Sequence, residues 1–142
     1  MRLRSTRRLL AAPDEMWALL SEPYHLADWW PGYTAVRPDR RGLAVGARWT
    51  VTRSDRPGLL RTPRGEGTLV ITQVAPPAAL GWRDVQQALD VAVTVRPVDG
   101  ESEAAVELTA AAWRVPLEGL RGMPERALAR LHALWQTAER LR

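Results

Sequence analysis

The sequence predicts an α+β fold in which a curved antiparallel sheet of seven strands packs against one long C-terminal helix. Three observations indicate this class. A short strand leads into a helix-start signal at Ala12-Pro13-Asp14-Glu15. Segments between residues 34 and 113 alternate apolar and polar residues as strands do, and residues 124–141 have the spacing of an amphipathic helix. A length of 142 residues suits one domain spanning residues 1–142.

The first strand and the first helix are indicated by local signals. Residues 2–11 are typical of a strand. Pro13 suits the first turn of a helix, and Asp14 and Glu15 are acids placed where the helix dipole is positive. We expect this helix to end near Pro23.

A second, shorter helix is predicted over residues 24–30, where Pro31 stops it. It ends in the pair Trp29-Trp30, and adjacent residues on a helix point in different directions. We therefore expect one indole to close the end of the protein interior and the other to meet solvent or a partner.

Six further strands are predicted from the alternation of apolar and polar residues, a pattern typical of an antiparallel sheet with one buried face. Asp99-Gly100 is a turn signal between the last two of them. The stretch 53–65 contains prolines and glycines, and we expect it to be the longest loop and mobile. The predicted strands cover residues 34–37, 47–53, 67–74, 79–84, 89–96 and 104–113.

The final predicted helix carries one long apolar stripe at three- and four-residue spacing. A stripe of this length needs an extensive apolar partner, and the buried face of the sheet is the candidate. The predicted order is therefore a strand, two short helices, six strands and a long helix. The stripe consists of Ala127, Leu128, Leu131, Leu134, Trp135, Ala138 and Leu141.

Composition and charge argue against several classes of protein. Cysteine is absent, which excludes disulfides and cysteine metal sites. The net charge of +4 permits an anionic partner, but the arginines are scattered and no aromatic platform accompanies them, so no nucleic-acid partner is expected. The apolar run at residues 9–12 is too short for a secretory signal, and no segment is long enough for a membrane span. We expect a cytoplasmic protein without stable membrane insertion.

The order of elements and four sequence motifs resemble the START-like, helix-grip superfamily (SRPBCC). The likeness covers essentially the whole chain and is strongest to the bacterial polyketide cyclase/dehydrase-like and stress-activator-like branches. It implies a cavity between the long helix and the concave sheet, which members use for lipids, polyketide intermediates or other hydrophobic molecules. The motifs are Ala12-Pro13-Asp14-Glu15-Met16-Trp17, Asp28-Trp29-Trp30-Pro31, the segment 74–82 and the segment 124–131.

Inward-facing positions of the strands and of the final helix would line such a cavity. Tryptophan suits this role because indole offers a large apolar surface and one N–H donor, although the same residues could instead fill a packed core. The small residues Ala110 and Ala112 favour a hollow interior, and the hydroxyl of Tyr33 at the cavity mouth could bind a ligand carbonyl. The candidate ligand-binding residues are Trp30, Tyr33, Trp49, Val51, Trp82, Val93, Leu108, Ala110, Leu131 and Trp135.

No catalytic constellation is recognisable, since paired carboxylates, a glycine-rich phosphate loop and a serine elbow are missing. Polyketide cyclases of the superfamily use an inward arginine, but Arg48, Arg83 and Arg96 fall on strand faces opposite the apolar residues. No inward arginine is therefore identified. His25 and His132 lack a partner at metal-ligand spacing, so neither a metal nor another cofactor is expected.

Three functions follow as expectations. The leading one is the binding of a hydrophobic small molecule, lipid or polyketide-like, by a carrier or sensor without strong catalysis. The first alternative is a cyclase, aromatase or dehydratase that uses Tyr33 or His132 as a general acid or base. The second is an interaction module, similar to co-chaperone or ribosome-associated members, with a protein partner held by the arginines of residues 2–8.

Overall fold

The computed structural model describes residues 1–53, 65–110 and 120–141. Most of the predicted loop 53–65 and the end of the last predicted strand, residues 111–113, lie outside the described residues. The helices are α1 (Pro13–Leu20), α2 (Leu26–Trp29) and α3 (Met123–Arg140), with short 3₁₀ turns at Pro23–His25 and Leu120–Gly122. The strands are β1 (Arg2–Leu9), β2 (Tyr33–Arg37), β3 (Arg48–Arg53), β4 (Glu66–Ala75), β5 (Ala79–Asp84), β6 (Leu89–Val98) and β7 (Glu101–Thr109).

The seven strands form one antiparallel sheet in the order β1-β7-β6-β5-β4-β3-β2. The two edge strands are therefore the first and the second in the chain. The predicted α+β class and the predicted order of elements are confirmed. The predicted turn at Asp99-Gly100 joins β6 to β7, and both residues have positive φ angles, 50° and 80°. Such angles suit the tight turn of a hairpin, and glycine accepts them without strain.

The first helix begins as its sequence predicts. Pro13 occupies the first turn, and the Glu15 carboxylate accepts a hydrogen bond from the Ala12 backbone N–H at 3.3 Å. A second tie fixes the chain before this helix, because the buried hydroxyl of Ser102 donates to the Ala11 carbonyl at 2.7 Å. The strand β7 thereby holds the start of α1.

The long helix α3 covers the sheet near its β1 edge. Its neighbours are β1, β7 and the short helix α2. The apolar stripe is buried along the N-terminal half of the helix, at Ala127, Leu128 and Leu131, and becomes half-buried at Trp135. One continuous apolar core therefore joins the helix, the inner face of the sheet and the tryptophans of α2. Within the described residues, the structure contains no helix with the length and apolar character needed to cross a membrane.

One end of the sheet brings several chain segments together. Because neighbouring strands are antiparallel, the starts of β2, β4 and β6 lie beside the ends of β3, β5 and β7. We call this the Asp84 end of the sheet, after the residue that terminates β5. It contains the polar residues described next.

Candidate functional site

A buried carboxylate occupies the inner face of the sheet at the Asp84 end. Asp84 has no solvent exposure, although β5 is otherwise apolar on this face at Leu80 and Trp82. Arg53, from the end of β3, forms a bidentate ion pair with it at 2.7 and 2.6 Å. The hydroxyl of Tyr33, from the start of β2, donates to the same carboxylate at 2.8 Å. Residues from three strands therefore meet in one polar cluster.

The hydrogen-bonding capacity of the Asp84 carboxylate is largely used within this cluster. Its Oδ2 accepts from Tyr33 and from one guanidinium nitrogen of Arg53. Its Oδ1 accepts from the other guanidinium nitrogen and from the backbone N–H of Gln87 at 3.1 Å. Four donors therefore compensate the desolvation of the charge, as a buried carboxylate requires.

A glycine gives the Arg53 side chain the space for its present path to Asp84. A Cβ atom at Gly67, near the start of β4, would lie 2.5 Å from a terminal guanidinium nitrogen of Arg53. The Arg53 side chain therefore passes over the backbone of β4 to reach Asp84 on β5. The sequence alone identifies no inward arginine, but Arg53 is one, with a side chain that is 14% exposed. Arg48, Arg83 and Arg96 are exposed as expected.

A β-bulge directs Tyr33 into the interior. The register between β2 and β3 shifts between Tyr33 and Ala35, so that both Tyr33 and Val36 are buried although they are three residues apart. From the sequence, the Tyr33 hydroxyl is a candidate hydrogen-bond donor to a ligand carbonyl. In the structure it donates to Asp84 instead. Only the lone pairs of its oxygen remain for a further contact.

The Tyr33 phenol is held in its neutral form. Burial raises its pKa well above the ordinary value of 10.0, and the negative charge of Asp84 and the hydrogen bond to it act in the same direction. The neighbouring Trp82 indole and the positive charge of Arg53 oppose this shift without reversing it, although the Trp82 N–H makes no hydrogen bond of good geometry. Tyr33 is therefore a hydrogen-bonding group here and not a source of protons near neutral pH.

An aromatic cluster adjoins the polar one. Trp82 lies two residues before Asp84 on the same face of β5 and contacts Trp30 and Trp29 edge to face, with centroid distances of 5.3 and 5.9 Å. Trp30 also contacts Tyr33 at 6.4 Å. Edge-to-face packing is a favourable geometry for aromatic pairs. The cluster connects α2 to the centre of the sheet.

The expectation that only one of Trp29 and Trp30 faces the interior while the other meets solvent or a partner is wrong, because both are buried. The helix α2 ends at Trp29, and Trp30 has the extended conformation with φ −87° and ψ 118°. The angular rule for adjacent residues on a helix therefore does not hold across this boundary. The two rings lie at 88° to each other, with centroids 6.1 Å apart.

Four buried ring nitrogens make no hydrogen bond within the part of the chain that the structure describes, and two of them belong to the aromatic cluster. The Nε1 atoms of Trp29, Trp82 and Trp135 are inaccessible to solvent and form no hydrogen bond. The Nδ1 atom of His132, three residues before Trp135 on α3, is in the same state. Most buried polar groups in proteins form a hydrogen bond. Several buried indole N–H groups without one are therefore unusual and mark this part of the core as a candidate ligand site.

The structure gathers the sequence-predicted binding residues into the common apolar core. Trp135 is half-buried against it. Trp49 differs from the other indoles, since its N–H donates to the Gly42 carbonyl at 2.8 Å and holds the connection between β2 and β3. The buried members are Trp30, Tyr33, Trp49, Val51, Trp82, Val93, Leu108, Ala110 and Leu131.

A cleft of about 310 Å³ lies elsewhere, between β1 and α3. Its lining is mixed in character and consists of Ser5, Thr6, Arg7, Glu125 and Leu128. The residues that the structure describes contain no group of three or more histidines or acids placed to hold a metal ion.

The sequence prediction missed Arg53, Gly67 and Asp84 as site residues. A signal was present for two of them, because alternation from Trp82 places Asp84 on the apolar face, and alternation from Val51 does the same for Arg53. Opposite charges on the inner faces of two different strands predict a buried pair. The role of Gly67 depends on the register of β3 against β4, which the sequence does not specify.

These features define a protein of the helix-grip class, with one sheet, one long helix and an aromatic interior. Residues 1–138 match the family described as polyketide cyclase / dehydrase and lipid transport, and the chain belongs to that family. No sequence among the curated proteins matches the chain.

Solved structures with a similar fold come from several bacteria. A protein of Nitrosomonas europaea is 17% identical, with a TM-score of 0.75 and coverage of 98% of this chain and 96% of the other. An AHSA1-like protein of Aeromonas hydrophila is 18% identical, with a TM-score of 0.74 and coverage of 98% and 94%. DynU16, from the dynemicin biosynthetic locus, is 18% identical with a TM-score of 0.68; the match covers 96% of this chain and 48% of DynU16. Similarity at this level of identity indicates the fold alone.

Removal of the Asp84 charge is expected to be costly. Asp84→Asn keeps the side-chain volume but removes the buried negative charge that pairs with Arg53. Breaking a buried ion pair costs about 3–5 kcal/mol, and because Arg53 keeps some solvent exposure we expect a loss of about 3 kcal/mol in the free energy of unfolding. Urea denaturation measures this quantity. Asp90→Asn is the matched control, since its pair with Arg83 at 2.7 Å is solvent-exposed and should contribute less than about 1 kcal/mol. Equal losses of unfolding free energy in the two variants would contradict the conclusion that the Asp84–Arg53 pair is the buried, strongly stabilising one.

The raised pKa of Tyr33 predicts a stability change at alkaline pH. The folded protein binds the phenolic proton more tightly than the unfolded chain does, so this contribution to stability is complete below pH 10.0 and is lost as the pH rises beyond that value. In a Tyr24→Phe background, phenolate absorbance from Tyr33 should therefore appear together with unfolding, as followed by circular dichroism. Reversible ionisation of Tyr33 near pH 10.0 in the folded protein would overturn this account.

Proposed function

We propose that the protein binds a hydrophobic small molecule between the inner face of the sheet and the C-terminal helix, as a carrier or sensor without strong catalysis. The observation that carries this proposal is the aromatic cluster of Trp29, Trp30 and Trp82, in which two buried indole N–H groups make no hydrogen bond of good geometry with any described residue. An interior built of large rings with unused donors suits a ligand that is mostly apolar and has a few polar atoms.

The physical basis of such binding is the burial of apolar surface. Each Å² of apolar ligand surface removed from water contributes about 25 cal/mol. The indoles supply broad, flat contact areas, and the adjacent polar cluster is held rigidly by its own ion pair. The family described as polyketide cyclase / dehydrase and lipid transport supports a hydrophobic ligand at the level of chemical class.

Carrier or sensor function is favoured over catalysis by the state of the polar cluster. The Asp84 carboxylate is occupied by four donors, which leaves it a poor general base. The Tyr33 proton is committed to Asp84, and the pKa of Tyr33 is raised. Neither group is arranged to exchange a proton with a substrate at neutral pH.

A cyclase or dehydratase is the second candidate, and two observations favour it. The cluster does contain an inward arginine, Arg53, and the Nδ1 atom of His132 is buried without a partner. An unpartnered imidazole nitrogen is chemically able to accept a proton. If the protein is an enzyme, a bound ligand should change mass during incubation, and His132→Gln should stop the change without preventing binding.

The interaction-module alternative is less well supported. The arginines of β1 were its expected contact surface, but Arg2 pairs with Glu107, and Arg8 pairs with Glu101 and Asp99, all within the same sheet. Their charges are partly compensated within the protein. This arrangement is typical of an edge strand protected by charged side chains.

Binding can be tested with N-phenylnaphthylamine, a neutral dye whose fluorescence rises in apolar surroundings. The folded protein should bind it at one saturable site. Ala110→Leu adds side-chain volume to the inner face at the end of β7 and should weaken dye binding about tenfold, equivalent to about 1.4 kcal/mol. Ala110 is almost fully buried in the core cluster.

Ala129→Leu makes the same substitution on the exposed face of α3 and should leave the dye affinity within a factor of about two, because surface changes have small effects. Urea denaturation of both variants separates lost binding from lost folding. Absence of saturable dye binding by the folded wild-type protein, or equal affinities in the two variants, would reject the proposal.

A further inference from the structure

We infer that the ligand is a neutral molecule carrying a carbonyl-type oxygen, and that this oxygen accepts hydrogen bonds from the indole N–H groups of Trp82 and Trp29. This inference rests on the proposed function and specifies the chemical class of the ligand. It also assigns these two residues as specificity determinants of the site.

The first argument is the cost of an unpartnered donor. Trp29 and Trp82 are 0% and 1% exposed, and within the described residues neither Nε1 atom makes a hydrogen bond of good geometry, although the Trp82 indole lies close enough to the Tyr33 hydroxyl to affect its pKa. A buried donor without a well-placed partner has lost its hydration without compensation, and the fold retains two such donors in adjacent rings. A ligand oxygen that accepts from them removes the penalty on binding, whereas a hydrocarbon does not.

The second argument is position. The rings of Trp29 and Trp82 are in edge-to-face contact, with centroids 5.9 Å apart, so the two indoles are direct neighbours in the core. Trp82 is also a neighbour of the Tyr33 hydroxyl, whose pKa it influences. The donors therefore lie at the boundary between the aromatic cluster and the polar cluster of Tyr33, Asp84 and Arg53.

The third argument is charge. The guanidinium of Arg53 is paired with Asp84 through two hydrogen bonds of 2.7 and 2.6 Å, so the cluster presents no net positive charge. A carboxylate ligand would lose its hydration there without gaining an opposite charge, which is unfavourable in a buried site. A neutral oxygen acceptor meets the two indole donors without that penalty.

Trp49 provides an internal comparison. It is equally buried on the inner face of the sheet, but its N–H already donates to the Gly42 carbonyl at 2.8 Å. A ligand gains no hydrogen bond from Trp49, so replacement of this indole should not affect the preference for a carbonyl. Trp82→Phe and Trp49→Phe are therefore matched variants, since each keeps an aromatic ring and removes one N–H.

The test uses three probes with the same ring system. These are β-acetylnaphthalene, β-isopropenylnaphthalene, in which a methylene replaces the carbonyl oxygen, and β-naphthoate, which carries a negative charge. Isothermal calorimetry gives their affinities for the full chain. The ketone should bind about five- to tenfold more tightly than the hydrocarbon, as expected for one or two hydrogen bonds, and the carboxylate should bind more weakly than the ketone.

The hydrogen bonds can be observed directly in the indole N–H resonances by heteronuclear NMR. The ketone should move the resonances of Trp82 and Trp29 downfield, and the hydrocarbon should not. The ratio of ketone to hydrocarbon affinity should fall at least about twofold in Trp82→Phe, because one of the two hydrogen bonds is lost, and should persist in Trp49→Phe. The ratio in the wild-type protein tests the inference even if a variant folds poorly.

The outcomes separate this inference from the proposed function. Equal binding of ketone and hydrocarbon, without indole shifts, would overturn the inference and leave hydrophobic binding intact. Tightest binding of the carboxylate would also overturn it. Failure of all three probes to bind would reject both this inference and the function on which it rests.

Discussion

The buried charge of Asp84 is the constraint on which the candidate site depends. A carboxylate without solvent exposure is stable only where donors and an opposite charge replace its hydration. Arg53 supplies the charge by crossing over Gly67, and Tyr33 adds a hydroxyl through the bulge in β2. The ends of three strands and the turn after β5 are therefore fixed relative to one another by a single side chain.

This constraint separates two regions of the interior. The groups of the polar cluster hydrogen-bond to one another, and the charges of Arg53 and Asp84 compensate each other. The adjacent Trp29 and Trp82 have N–H donors that make no hydrogen bond of good geometry within the described residues. Sites for hydrophobic ligands are commonly lined by apolar side chains with a few polar groups in fixed positions. Those polar groups determine which hydrophobic molecules bind. Burial and the neighbouring Asp84 charge raise the pKa of Tyr33, so its hydroxyl donates to Asp84 and is not an acid near neutral pH.

Much of the fold could be predicted from periodicity and turn chemistry. The alternation at residues 91, 93 and 95 located β6, Asp99-Gly100 located a hairpin, and the stripe containing Leu131 located α3. The polar cluster was not predicted, because it depends on pairings between strands that are distant in sequence, such as Arg53 with Asp84. The joint burial of Trp29 and Trp30 was also missed, since it depends on the residue at which α2 ends. The candidate lining residues share one core, but their contact with a ligand remains a prediction.

Native mass spectrometry of the protein purified from its own host tests the central claim most directly. The account predicts a stoichiometric complex with one small molecule that is released when the protein is denatured and is identifiable by extraction. The bound molecule should be neutral and largely apolar, and should contain at least one carbonyl-type oxygen. A protein that leaves its host without a bound molecule, and acquires none from a total extract of that host, would contradict the account.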